Sequence, residues 1–323
     1  MHIRLAVVCC FVLAWSCAVR GAESPKRPEV WMGPPGLENG KVFRELFEKP
    51  DDWKQTRSMI DVLCYADHVL GKQFTDDELK TWFAQLKEWK LKFGLEVGAV
   101  KPWGETGEKT FNIQRKKWDR FQALGLDIYA IAMDEPLCCA REQIHKPDSY
   151  AMEETAAFIA LVRKNYPQVL IGDIETYPSI AIPDHVMWID GLQKRLAELN
   201  VRGLDFYRLD VNWICFAAQS NGTWREVRKL EMECRKRKLP FSLIYWPSGY
   251  VGFKKKNMAD DTFCFSAILQ QGANYAIVDG HPEQVVVQSW DDVPSRGVPD
   301  RESFTFTGTT LNFLSKFFPK AAP

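Results

Sequence analysis

From residue 28 onward, short runs of Val, Ile, Leu, Phe and Tyr alternate with longer stretches in which apolar residues recur every three or four positions. The first pattern predicts strands buried on both faces, and the second predicts amphipathic helices. The strand candidates are Val30–Gly33, Met59–Cys64, Phe93–Ala99, Asp127–Met133, Val169–Asp173, Gly203–Tyr207, Phe241–Tyr245 and Val285–Ser289, eight in all. The clearest helix opens at Thr75-Asp-Asp-Glu78, a capping-box pattern, and puts Leu79, Trp82, Phe83, Leu86 and Trp89 on one packing face. Thr223-Trp-Arg-Glu226 opens another, and helical spacing also fits Ala151–Lys164, Asp184–Asn200 and Asp260–Gly272. Strands alternating with helices imply a parallel sheet with crossover helices, and eight such units in about 290 residues match a (β/α)8 TIM barrel. A doubly wound open sheet is the alternative, but the first strand-to-helix turn, GPPGLENG, lacks the G-x-G-x-x-G fingerprint. Its proline pair argues for a rigid loop.

No Pro/Ser/Gly-rich linker divides the chain, so residues 23–323 are expected to form one barrel domain, with Leu311–Phe318 as its closing helix. Residues 1–22 join Arg4 to an apolar run, Leu5–Val19, and then to small residues, the pattern of a secretory signal peptide cleaved after Ala18, Gly21 or Ala22. A lipid anchor on Cys17 is the less favoured reading, since Trp15 suits that cleavage poorly. No later stretch approaches the roughly 20 apolar residues of a membrane helix, so the expected product is secreted or periplasmic. Lys+Arg and Asp+Glu both number 42, so the basic excess of nucleic-acid or acidic-membrane binding is absent. Cys64, Cys138, Cys139, Cys215, Cys234 and Cys264 include no C-x-x-C pair, which favours buried thiols over a structural zinc site. Asn221-Gly222-Thr223 fits a glycosylation sequon, and the basic runs Lys254–Lys256 and Arg235–Lys238 read as solvated ends of elements.

In TIM barrels the active site lies where strands end in loops, so the residues leaving each strand carry the chemical information. Strand two gives way to Asp67 and His68, and strand three carries Glu96 ahead of Lys101 and Trp103. Strand four ends in Asp134-Glu135, strand five in Glu175 with Tyr177, and strand six in Tyr207, Arg208 and Asp210. Strand seven ends in Tyr245-Trp246 and strand eight in Gln288 and Trp290. Carboxylates and aromatic rings thus alternate around one rim. Two carboxyls in one partly dry pocket separate their pKa values, so one serves as acid and the other as base or nucleophile. Sugar rings stack C–H faces on Trp or Tyr, and their hydroxyls need acids, amides and Arg; paired carboxylates with aromatic platforms are the equipment of glycoside hydrolysis.

Asp134-Glu135-Pro136 resembles the Asn-Glu-Pro motif of the large clan of retaining (β/α)8 glycoside hydrolases, whose motif glutamate is the acid/base. Trp290 resembles that clan's sugar-stacking tryptophan. The resemblance implies a barrel hydrolase that cleaves glycosidic bonds, with Glu135 as acid, a carbohydrate as partner, and no cofactor or metal. The clan's nucleophilic glutamate ends strand seven, where this chain has Ile244-Tyr245-Trp246-Pro247, so the partner acid must come from elsewhere. Glu175 and Asp210 are the candidates; Asp134 is an alternative reactive group, because neighbouring strand residues face opposite sides. Two other functions stay open. Glu96, Glu135 and Glu175 leave three consecutive strands, as the metal carboxylates of enolase-like barrels do. Alternatively, the missing strand-seven acid marks a carbohydrate-binding barrel without catalysis. Plainer roles accompany each residue: Glu96 as a satisfied interior charge, Asp210 as a brace for the Arg208 loop, and each Trp as core.

Overall fold

A computed structural model describes residues 27–36, 40–218, 221–247 and 260–320. Eight parallel strands close into a barrel in sequence order: β1 Glu29–Gly33, β2 Val62–Ala66, β3 Lys92–Val97, β4 Ile128–Asp134, β5 Leu170–Tyr177, β6 Phe206–Val211, β7 Phe241–Tyr245 and β8 Gln284–Gln288. The closing β1–β8 pair runs in register from Glu29↔Gln284 to Gly33↔Gln288, leaving no exposed sheet edge. The expected single (β/α)8 barrel is therefore the architecture of this protein.

Among the described residues twelve α-helices surround it: α1 Lys41–Glu48, α2 Lys54–Met59, α3 Asp67–Gln73, α4 Asp76–Glu88, α5 Gly107–Ala123, α6 Pro136–Cys139, α7 Asp148–Asn165, α8 Ile182–Glu198, α9 Trp213–Ala217, α10 Trp224–Lys236, α11 Asp261–Ile277 and α12 Phe306–Phe317. The capping box of α4 forms as its sequence predicts: Glu78 N–H donates to Thr75 Oγ1 (3.3 Å) and Thr75 N–H to Glu78 Oε2 (2.8 Å). At α10 only half of it forms, since the Thr223 N–H donates to the Tyr177 hydroxyl instead. Residues 1–22 and Lys254–Lys256 lie outside the described residues, as do 37–39 of the first loop. No helix among the described residues is long and apolar enough to cross a membrane.

Two strands, β2 and β6, start three residues later than the sequence reading gives, for local reasons. Met59 closes α2, and β2 starts only at Val62; between them Asp61 accepts from the Val30 N–H (2.8 Å) and Arg27 (3.1 Å). Gly203–Asp205 precedes β6, because Asp205 accepts from the Ile171 N–H (2.7 Å) and from Arg163 (2.8 Å). In compensation β5 and β6 run four residues further than expected, to Tyr177 and Val211. That extension decides which strand-end residues look inward.

Alternation along the strands divides the interior into two layers. One apolar cluster lies between barrel and helices. A second fills the lumen with Trp31, Val62, Cys64, Ala130, Ala132, Ile174, Phe206, Ile244, Trp246 and Val286. Two strand glycines make room for the large lumen rings: a Cβ on Gly94 would meet Trp31 at 2.3 Å, and one on Gly172 would meet Phe206 at 1.9 Å. The N-terminal end of the lumen is closed by Glu29, which accepts from Lys92 (2.8 Å), Tyr129 (2.8 Å), Trp31 (2.9 Å) and Gln284 (3.1 Å). Access to the lumen is therefore from the other end. Cys64, Cys138, Cys139, Cys234 and Cys264 are buried free thiols, as expected.

Candidate active site

The lumen-facing series on β3, β4, β6 and β8 ends in Glu96, Asp134, Asp210 and Gln288, with Trp246 and Trp290 just beyond β7 and β8. Asp134 is half-buried and receives Lys101 Nζ at 2.5 Å; the same ammonium lies 3.2 Å from Cys139 Sγ. Burial works against the charge on Lys101, but Asp134, Cys139 and Glu135 outweigh it and hold its pKa above the ordinary lysine value. It therefore stands as a fixed cation, not as a neutral amine nucleophile. Cys139 is the site residue the sequence reading missed; it was assigned only as a buried thiol, and the signal available was its closeness to the Asp-Glu-Pro tripeptide.

Glu135 follows an inward residue, so simple alternation would turn it outward. It does not continue the strand. Its backbone sits at φ 49°, ψ 52°, the left-handed region that non-glycine residues rarely occupy. This turn brings the carboxyl among the charges of Asp134, Lys101 and Glu96, and it forms no hydrogen bond among the described residues. Burial, then Asp134, push its pKa up to about 7, with Glu96 adding to the rise and Lys101 opposing it.

Glu96 accepts from Gln288 Nε2 (2.7 Å) and from the Trp290 indole N–H (3.0 Å). Burial and Asp134 raise its pKa to about 7 against those two hydrogen bonds. Across the lumen, Asp210 receives the Trp246 indole N–H at 2.6 Å. Burial raises its pKa well above the ordinary range, with Glu135 the largest charged contributor and Asp134 and Glu96 following. These mutual effects mean that four carboxyls, Glu96, Asp134, Glu135 and Asp210, share one electrostatic space. Trp246 and Trp290 meet edge to face at 4.8 Å between ring centroids. Trp290 is half-buried and offers a platform, whereas Trp246 is 5% exposed and serves mainly to hold Asp210. Trp103 stands 49% exposed over Gly98, where an added Cβ would meet it at 2.8 Å and Lys101 at 2.7 Å.

Several expected site residues lie elsewhere. Glu175 is fully buried on the outward side of β5, and its two oxygens accept from the Leu137 (2.5 Å) and Cys138 (3.1 Å) backbone amides. Burial and the neighbouring Asp173 and Glu135 raise its pKa, while the two amides oppose the rise. Tyr177 donates to Glu226 (2.7 Å), Tyr207 pairs with His185 (2.7 Å), and Tyr245 packs on Phe313 and Phe318, all in the layer between barrel and helices. Each occupies an outward position of its strand. Asp67 is buried at the start of α3, bound to Lys117 (2.9 Å) and the Trp118 indole (3.0 Å) of α5. His68, next to it, is exposed, with Asp67, Lys117, Lys72 and Asp134 as its charged neighbours. Arg208 does face the lumen, but beneath the rim: it is 2% exposed, lies 4.3 Å over the Trp31 ring and donates to Ser242 (2.9 Å).

The enolase-like set of three converging carboxylates does not form, because Glu175 lies on the outward side of β5 with both oxygens held by the Leu137 and Cys138 amides. Among the described residues, no three His, Cys, Asp or Glu side chains form a group able to hold a metal ion.

Comparison with models of protein families gives no match, and comparison with curated proteins gives none. Solved structures do match in fold. A thermostable mutant of a xylanase from Cellvibrio japonicus aligns over 90% of this chain and 98% of its own, at 10% identity and a TM-score of 0.54. An intracellular xylanase from Thermoanaerobacterium saccharolyticum aligns over 82% and 87%, at 8% identity and 0.50. An aldo-keto reductase from Bombyx mori aligns over 91% and 85%, at 13% identity and 0.49. At such identities the likeness to the two xylanases establishes the shared barrel alone.

Proposed function

We propose that this protein is a secreted or periplasmic glycoside hydrolase that cleaves a glycan or oligosaccharide by carboxylate acid/base catalysis. The observation carrying the proposal is the rim itself: Glu135 turned by a left-handed backbone into one electrostatic cluster with Glu96, Asp134 and Asp210, near the half-buried ring of Trp290 that binds Glu96. The signal pattern of residues 1–22 supports the localisation.

Two carboxyls in such a space do not both ionise cheaply, so their roles separate. Burial and the neighbouring carboxyls raise the pKa of Asp210, and the Trp246 N–H works against that rise by favouring its anion; Glu135 has no such donor among the described residues. On that difference in donors Glu135 is the proton holder and delivers its proton to the departing glycosidic oxygen. Asp210 is the nucleophile or base, in place of Glu175, whose oxygens are committed to backbone amides. Asp134, bridged to Lys101, and Glu96 are available to sugar hydroxyls.

The test is turnover of a panel of glycans and aryl glycosides by the parent, Glu135→Gln and Asp210→Asn, each with and without EDTA. The proposal predicts an EDTA-resistant activity that falls roughly 10²–10⁴-fold in Glu135→Gln. Activity abolished by EDTA would replace it with metal chemistry. Saccharide binding without turnover would replace it with a binding barrel.

A further inference from the structure

Between Asp134 and the π-type turn Ala140–Ile144, the backbone donors can be accounted for one by one. The Glu135 N–H donates to Ile174 C=O (2.9 Å), Pro136 has none, and the Cys139 N–H closes the first helical turn on Glu135 C=O (2.8 Å). That leaves Leu137 and Cys138, whose amides belong to residues 1% and 8% exposed. Both end on one side chain: Leu137 on Glu175 Oε1 and Cys138 on Glu175 Oε2. Glu175 comes from β5, the strand that also receives the Glu135 N–H one residue earlier, at Ile174.

We propose that Glu175 is a positioning residue: its carboxyl group clamps the Pro136–Cys139 turn to β5 and thereby holds Glu135 in the left-handed conformation that presents its carboxyl to the rim. A left-handed glutamate persists only where its surroundings over-determine it, and here they do so from three sides: Ile174 C=O, Cys139 N–H and the two amides on Glu175. No substrate contact is needed for this role. Glu175 is 0% exposed and faces the helix layer, with Asp173, Tyr207 and Glu135 as its titratable neighbours. Glu175→Gln is a severe test although nearly isosteric, because its NH2 group would face one of the two backbone donors.

The consequence for rate rests on Glu135 being the acid, as proposed above; the consequence for the backbone does not. The first readout is amide hydrogen exchange across residues 135–139 in the full chain. The Leu137 and Cys138 amides are expected to be protected in the parent and in Glu135→Gln, and to lose protection locally in Glu175→Gln while the barrel strands keep theirs. The second is steady-state kinetics on whichever glycoside the parent turns over. Displacing Glu135 by about 1 Å is expected to lower kcat on the order of 10²-fold, with KM little changed. Glu175→Asp, which keeps a two-oxygen acceptor on a shorter arm, should recover part of both protection and kcat. Fast exchange of the Leu137 and Cys138 amides in the folded parent would overturn the clamp. So would full kcat and unchanged exchange in Glu175→Gln. Should Glu175→Gln unfold, the parent's exchange and Glu175→Asp decide alone. A parent that turns over no glycoside overturns the functional reading while leaving the clamp to the exchange data.

Discussion

At the scale of residues, the proposed chemistry rests on how one carboxyl is kept protonated beside others. Glu135 and Glu96 both titrate at about 7, chiefly through burial. A general acid must hold its proton, so kcat/KM is expected to fall as pH rises through about 7, an alkaline limb that Glu135→Gln should lack. The same shifts affect stability. The folded chain retains protons on these two groups that unfolded glutamates, titrating near 4.5, release, so their contribution to stability is fully present below that value and is lost as pH rises through about 7. Thermal unfolding across that range should show the decline, reduced when Glu96 is replaced by Gln. Asp134, Glu135, Glu96 and Asp210 were legible in the sequence because each ends or follows an apolar strand. Glu175, Tyr177, Tyr207 and Tyr245 were misread for one physical reason. Side chains alternate along a strand, so an uncertain register leaves their direction undecided. Glu135 shows the reverse: alternation turns it outward, and only the left-handed backbone turns it in.

At the scale of elements, signals confined to a few neighbouring residues were the readable ones. β7 appears with the bounds that its apolar run gives, and α4 with its capping box complete. Thr75→Ala removes the cap's acceptor at an exposed site, so a loss of about 1 kcal/mol is expected in urea unfolding, with kcat unchanged. The short helices α2, α6 and α9 were not foreseen. The clearest case is α6, whose amides find their acceptor 37 and 38 residues away on Glu175, a pairing that no local pattern announces. The late starts of β2 and β6 likewise depend on Asp61 and Asp205 capturing amides of neighbouring strands.

At the scale of the molecule, the count and spacing of alternating elements led to the closed barrel. The two ends of its lumen differ in kind. At the N-terminal end four donors from β1, β3, β4 and β8 converge on Glu29, so the carboxylate works as a plug. Burial raises its pKa, but hydrogen bonds from Lys92, Tyr129 and Trp31 win and leave it lowered. Glu29→Ala orphans these donors and is expected to lower stability by about 1–3 kcal/mol in denaturant unfolding, while kcat/KM stays near the parent value. At the C-terminal end the carboxyls raise one another's pKa values, and there the central claim, that Glu135 is the acid, meets its most direct test. Aryl glycosides graded by leaving-group acidity should be compared in the parent and in Glu135→Gln. A good leaving group departs without a proton and a poor one does not. The account predicts a severe loss in Glu135→Gln for poor leaving groups and a small one for dinitrophenyl glycosides. An equal loss across the series would contradict it.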